Sequence, residues 1–426
     1  MQEEGREATA VDPSPIRRLL PLVIPAIIVG VGSGLLLLGL TIVSGALEDV
    51  LWTALPDALG IASDSPGWII GLLTVAGLIV GLVVTFVPGH AGPDPATTEL
   101  AGPPLPLPVL PGLALAVMLT LASGVSLGPE NPILAINIGL AAAIGARLLP
   151  RMPGSAWFAL AFSGTIGAMF GTPLAAALLL SEAPDTSGRP LWDRLFGPLV
   201  AAAAGSMTML ALGGESFVLT VAPYAGPQLV DLVTGSVIAV GAAAAGMAAV
   251  YAFPFVHAAF HRLGRPILAL VAGGFVLGVL GAIGGEISLF KGLEQMRELT
   301  ETATDYTPAG LAFLAVIKLI AVLVASGSGF RGGRIFPSVF AGVAIGLFVY
   351  ALFPQVPEAV ALSASLIGIL VAVTRSGWLA IFMGALMVGA PTILPVLSVI
   401  VLPAWLLVTG RPEMVVKPRS ASADSR

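Results

Sequence analysis

Ser123-Gly-Val-Ser-Leu-Gly-Pro-Glu-Asn-Pro132 and Ser328-Gly-Phe-Arg-Gly-Gly-Arg-Ile-Phe-Pro337 share the form SGxxxGxxxP and stand 205 residues apart in a chain of 426. Each follows an apolar stretch and leads into another rich in Ala, Gly, Ile and Val. Corresponding Gly/Pro interruptions in two halves of a hydrophobic chain point to inverted repeats with a transport site between them. Proline is favoured just inside a helix start, where its missing N–H would have no partner anyway. Pro132 and Pro337 therefore mark two helix N-termini, each preceded by a flexible glycine segment. Such an end offers free N–H donors and about half a positive charge. Two of them meeting at mid-membrane attract an anion, and the glycines let the backbone approach it.

Composition agrees with a membrane-embedded chain. Hydrophobic residues make up 57% and charged residues 10% of it, against roughly 25% charged in a soluble domain. Mean hydropathy is +0.99. No Asp, Glu, Lys or Arg occurs in 19–46, 67–90 or 376–410, and a helix of about 20 apolar residues crosses the hydrocarbon core. The 52 glycines suit helices packed through small residues. There is no cysteine, hence no disulfide and no thiolate metal site, and the net charge of −5 resides mostly in tails and loops.

Membrane segments are expected at 19–43, 67–88, 107–124, 133–149, 156–181, 195–213, 228–258, 266–285, 309–326, 336–353, 357–373, 377–389 and 392–409. Several are short and interrupted, as helices are where irregular backbone lines a protein-enclosed cavity. The predicted class is all-α: a polytopic membrane protein of two inverted-topology halves, about 19–215 and 228–410, whose broken helices meet at mid-membrane. Arg17 and Arg18 precede the first span, and Arg411, Lys417 and Arg419 follow the last. The positive-inside rule then puts both termini in the cytoplasm and the crossings at an even number. The tails 1–18 and 411–426 read as disordered and cytoplasmic. The polar stretch 286–308 reads as a solvated loop with a short surface helix.

Glu130 lies in the first loop. A charge at mid-bilayer costs roughly 2.5–3.5 kcal/mol even on lenient insertion scales, so it needs a function. Its carboxylate is expected to occupy the anion site, accept the helix N–H groups and leave on protonation, as a gate and a proton carrier.

At these residues the chain resembles the CLC family of chloride channels and chloride/proton antiporters, over nearly its whole length. Gly128-Pro129-Glu130-Asn131-Pro132 is similar to the family's GxEGP gating motif and Gly333-Arg334-Ile335-Phe336-Pro337 to its GxFxP filter motif. Gly89-His90-Ala91-Gly92-Pro93 stands where GSGIP is expected, and Phe170 to Glu182 resembles the segment ending in paired glutamates. The resemblance implies a multi-pass protein of the cell membrane that passes chloride or another small anion, with or without protons. It also implies a homodimer with one pore per subunit. Anion-binding positions carried over are Gly128, Pro129, Asn131, Gly333, Arg334, Ile335, Phe336 and His90, with Glu130 as gate and Glu182 on a proton or ion access path. The chain departs from the pattern at Asn131 (for Gly), His90 (for an anion-contacting Ser), Ala390 (for a Tyr) and Ala183 (for an internal proton-transfer Glu). Arg334 adds a positive charge inside the filter motif. These changes favour an uncoupled channel over an antiporter.

Other signals are weaker. His257 and His261, four apart, would share one helix face, but they close an apolar run beside Arg262 and Arg265 and read as a solvated helix end; no metal is expected. Lys318, in mid-span, either attracts anions or pairs with a buried acid. Gly327-x-Gly329-x-x-Gly332 has no βαβ context, and no Walker loop or HExxH motif occurs, so no cofactor, nucleotide or nucleic acid is expected and the chain is not read as an enzyme. A carrier for a larger organic solute on the same scaffold is the alternative function.

Overall fold

The computed structural model describes Arg17 and residues 19–183, 188–214 and 217–417. Arg18, Arg419 and the expected tails before residue 17 and after residue 417 lie outside the described residues.

The first seven long helices are α1 (Val23–Asp49), α2 (Pro66–Phe86), α3 (Leu110–Ala122), α4 (Glu130–Leu148), α5 (Gly154–Phe170), α6 (Pro173–Glu182) and α7 (Leu191–Ala211). Then follow α8 (Leu229–His261), α9 (Pro266–Gly284), the short α10 (Leu293–Glu301), α11 (Pro308–Ser328), α12 (Ile335–Leu352), α13 (Glu358–Thr374), α14 (Gly377–Val388) and α15 (Leu394–Val408). Leaving α10 aside, the series α1–α7 returns as α8, α9 and α11–α15, with helix starts displaced by about two hundred residues. The fold is all-α, with two inverted series.

Local chemistry explains many boundaries. Ser65-Pro66, Thr172-Pro173 and Thr307-Pro308 each put a hydroxyl cap before a proline at the first helical position, satisfying an N–H that the helix leaves open. The expected single segment 156–181 is two helices. Gly171 takes a left-handed conformation (φ 70°) and ends α5, and Thr172 caps α6. In the opposite direction α1 outruns its expected end at residue 43, continuing through a π-helical turn, Val50–Ala54, to Leu59.

Helices α2 and α9, which correspond across the two series, pack face to face through glycines. A Cβ on Gly77 would lie 2.2 Å from the Leu270 carbonyl oxygen, and one on Gly274 would lie 2.2 Å from that of Leu73. Gly81 and Gly278, each one turn on, would put a Cβ 2.9 Å from the Ile267 Cα and 2.6 Å from the Ile70 Cα. This is small-xxx-small packing from both sides, which substitutes for the hydrophobic drive that lipid does not supply. At the other extreme, α13 is buried from Ala359 to Ala372; a helix apolar all round sits in the protein interior.

Two expected loops are folded instead. The expected short surface helix is present as α10, with Glu294 and Glu298 exposed. But Ile287, Leu289, Phe290, Leu293, Met296 and Leu299 are all buried, so 286–308 packs one face onto the protein rather than being solvated throughout. Lys318 holds it down: its ammonium donates to the carbonyls of Ser288 (3.0 Å), Leu289 (2.7 Å) and Phe290 (2.9 Å) and lies 4.8 Å from the Phe340 ring centroid. All three donors are spent on backbone, with neither an acid nor an anion path involved. The C-terminal segment 411–417 also packs inward. Met414 is buried, Val416 N–H donates to the Ala96 carbonyl, and Arg375 donates to that of Pro412.

Candidate functional site

The two SGxxxGxxxP loops meet. Gly128 N–H donates to the Gly333 carbonyl (2.9 Å) and Gly333 N–H donates back to that of Gly128 (2.6 Å), an isolated antiparallel bridge. Just beyond it α4 begins at Glu130 and α12 at Ile335, so both helix N-termini reach the same place. Pro132 and Pro337 are the third residues of these helices. The N–H groups of the first two residues in each are therefore left to face a ligand.

Glu130 occupies that place. It is wholly buried, and its Oε1 accepts a 2.7 Å hydrogen bond from Phe336 N–H, on the helix of the other series. Its Oε2 is buried and has no hydrogen-bond partner among the described residues. Both glycines of the bridge are needed for this arrangement. A Cβ on Gly128 would lie 2.2 Å from Oε2, and one on Gly333 would lie 2.0 Å from it. The carboxylate thus fills a slot cut to the size of one oxygen, with helix dipoles pointing into it.

A cavity reaches the slot from each side. One, of about 300 Å³, is lined by Pro129, Phe170, Phe217 and Phe336, whose rings form a cluster with centroids 5.5–6.3 Å apart. The other, of about 350 Å³, is lined by Asn131, Arg334, Ile335, Glu182, Ala183 and Arg375. Glu130 lines neither cavity; its chain neighbours Pro129 and Asn131 border the first and the second respectively. In the second cavity Arg334 Nη2 donates to the Thr98 carbonyl (3.0 Å), its guanidinium lies over the Phe253 ring, and its Nη1 is buried without a partner among the described residues. Asn131 Nδ2 donates to the Glu99 carbonyl (2.8 Å). Glu182 Oε1 accepts from Trp378 N–H (2.8 Å), capping α14 at the cavity mouth.

Two expected positions fall elsewhere. His90 is exposed, and its Nδ1 is 3.0 Å from the Val84 carbonyl at the end of α2; it lines neither cavity. The cause is the backbone: Gly89, His90, Ala91 and Gly92 are all left-handed, which turns their carbonyls inward and the His90 ring outward. Ala390, between α14 and α15, likewise lines neither cavity; Met414 and Val415 supply the chain's far end to the second one. The sequence reading missed Arg331. This buried guanidinium gathers the carbonyls of His90 (2.9 Å), Ala91 (2.9 Å), Gly92 (3.0 Å) and Gly329 (3.1 Å), fastening the 89–92 turn to the second loop. A second arginine in an otherwise uncharged glycine loop was the available signal.

The histidine pair is not a solvated helix end. His257 Nε2 lies 2.9 Å and His261 Nε2 3.1 Å from Asp94 Oδ2. Burial alone would raise the Asp94 carboxyl, but the hydrogen bonds from His257 and the Ala96 N–H, with both imidazole rings beside it, outweigh it and hold the group below the usual carboxylate range.

Two matching helix series and an acid seated on paired helix ends describe a membrane protein of the transporter class. The sequence profile described as voltage gated chloride channel matches residues 72–408, and the chain belongs to that family, the CLC proteins; its function is anion transport across a membrane, and it is not an enzyme. The chain is 51% identical over 401 residues to the Escherichia coli K12 protein described as "Putative ion-transport protein YfeO", covering 94% of this chain and 96% of that one. Among solved structures it resembles a slow cyanobacterial Cl-/H+ antiporter (TM-score 0.77, 19% identity, 92% and 95% of the two chains). It also resembles a CLC-type fluoride/proton antiporter (TM-score 0.71, 18% identity, 93% and 97%). At such identities the likeness concerns the fold alone.

Proposed function

We propose that this protein passes a small inorganic anion, chloride foremost, through the Gly128–Gly333 slot, with Glu130 as the gate. The observation that carries the reading is the Glu130 carboxylate itself. One oxygen holds a helix N–H and the other sits unpartnered between two glycines, which is how an anionic ligand would be held. When the carboxylate is protonated or swings aside, a halide takes its place on the N–H groups of Ile335 and Phe336. Gly128 and Gly333 supply the room. Pro129 borders the slot on one side, and Asn131 and Arg334 border it on the other. Arg334 raises the local anion concentration in the second cavity, as a fixed charge in a low-dielectric cleft does.

A larger organic solute fits this reading poorly, because the slot accepts one oxygen and both walls are backbone. Proton coupling has little support either: Ala183 lines the cavity where an internal acid would serve, and the neighbouring Glu182 is engaged in capping α14. Glu182 at the mouth remains suited to ion access. We therefore favour uncoupled transport, by a homodimer in the plasma membrane with the Arg334 cavity facing the cytoplasm. Calorimetric titration of purified Glu130→Ala with sodium chloride tests the slot: it should bind chloride more tightly than wild type. Equal, weak heats from both proteins would remove the slot as the anion site.

A further inference from the structure

We propose that Asp94, His257 and His261 form a binding site for a divalent transition metal of the zinc class, remote from the anion slot. The ligand atoms all lie within 4.8 Å of one another. The histidines are one turn apart at the end of α8 with rings stacked 3.7 Å apart, and Asp94 reaches them from a loop 163 residues away in sequence.

The hydrogen-bond roles require a cation here. His261 Nδ1 is 3.0 Å from the His257 carbonyl, an acceptor, so that nitrogen carries the proton. Its Nε2 then presents a lone pair to a carboxylate oxygen 3.1 Å away, and two lone pairs repel unless a positive centre lies between them. A proton would serve, but it makes an imidazolium stacked on a second imidazole that shares the same carboxylate oxygen. A metal ion serves all three at once. The surroundings match a metal site's outer shell, in which the second ring nitrogen bonds a carbonyl and the carboxylate is itself held: Asp94 Oδ1 accepts from Ala96 N–H at 2.9 Å. Tetrahedral ligation with bonds near 2.0–2.1 Å separates ligands by about 3.3 Å, so the present contacts need open by only a few tenths of an ångström. His261 is half exposed and borders a cavity of about 310 Å³ shared with Asp94, Ser328 and Arg331, which leaves a fourth position for water. Two neutral histidines and one carboxylate form a donor set that suits zinc, cobalt or nickel better than magnesium or calcium. Arg331 is near enough to act on Asp94, but its donors are committed to carbonyls. Arg262 and Arg265 follow the pair directly, which puts the cluster on the cytoplasmic face.

The test uses full-length protein with its affinity tag removed, stripped with EDTA and titrated with cobalt(II) chloride. Visible d–d absorption saturating at one cobalt per chain and displaced by zinc is expected. His261→Ala, a change at an exposed ring, and Asp94→Asn should each weaken binding by roughly a hundredfold or more, while gel-filtration profiles stay unchanged. Absence of a one-per-chain cobalt spectrum in wild type, or its survival in both variants, would overturn the proposal.

Discussion

Replacing Glu130 by Gln keeps the shape of the gate and removes its charge, and the structure sets how much hold is lost. The Phe336 N–H to Oε1 bond is charge-assisted, and such bonds are about twice as strong as neutral ones, so neutralising it loses about 1 kcal/mol. The N-termini of α4 and α12 both point at the carboxylate, and each loses an interaction of about 0.3–1 kcal/mol with a negative charge. Together these give about 1.6–3 kcal/mol, or roughly 15- to 150-fold less occupancy of the slot by the side chain at 1.4 kcal/mol per decade. In liposomes loaded with chloride, Glu130→Gln should therefore pass chloride at least about tenfold faster than wild type at pH 7.5. The wild-type rate should rise on acidification, as protonation releases the gate, while the variant's rate stays flat between pH 4.5 and 7.5. An unchanged rate with the pH dependence intact would refute the gating role.

Gly333→Ala should abolish chloride flux without unfolding the protein, because its methyl would overlap the position of Oε2 and exclude carboxylate and halide alike; flux assays beside gel filtration check this. Arg334→Gln should lower flux several-fold at low chloride and much less at saturating chloride, an increase in apparent KM, since the charge concentrates anions rather than binding one tightly. Lys318→Met, while Ser288 keeps the Ser126 hydroxyl, should leave the buried carbonyls of Leu289 and Phe290 without their donor. It should destabilise the protein by about 3 kcal/mol or more, read as a lower melting midpoint in detergent, with flux per folded molecule little changed.

The parts of this fold that sequence makes visible are those that repeat. The SGxxxGxxxP loops, 205 residues apart, foretold both helix N-termini, and the cost of Glu130 in a membrane foretold a special position for it. Helix existence followed from hydropathy, but the α5–α6 break did not, although Gly171-Thr172-Pro173 holds both a stop and a start signal. Long-range pairing was out of reach. Nothing in local spacing says that Arg331 will collect the carbonyls of a turn 240 residues earlier, or that Asp94 will join His257. His90 was misjudged because side-chain direction depends on φ, and four successive left-handed residues reverse it. Lys318 looked like either an anion lure or half of an ion pair. Backbone carbonyls of a tight turn were the third option, and only the folded loop reveals them.

Simultaneous recording of chloride efflux and proton movement from liposomes containing the wild-type protein, with valinomycin to carry the counter-charge, tests the anion pathway most directly. The expected result is chloride efflux with no accompanying uphill proton movement. Absence of efflux for chloride, fluoride and nitrate alike would contradict a small-anion slot at Gly128 and Gly333.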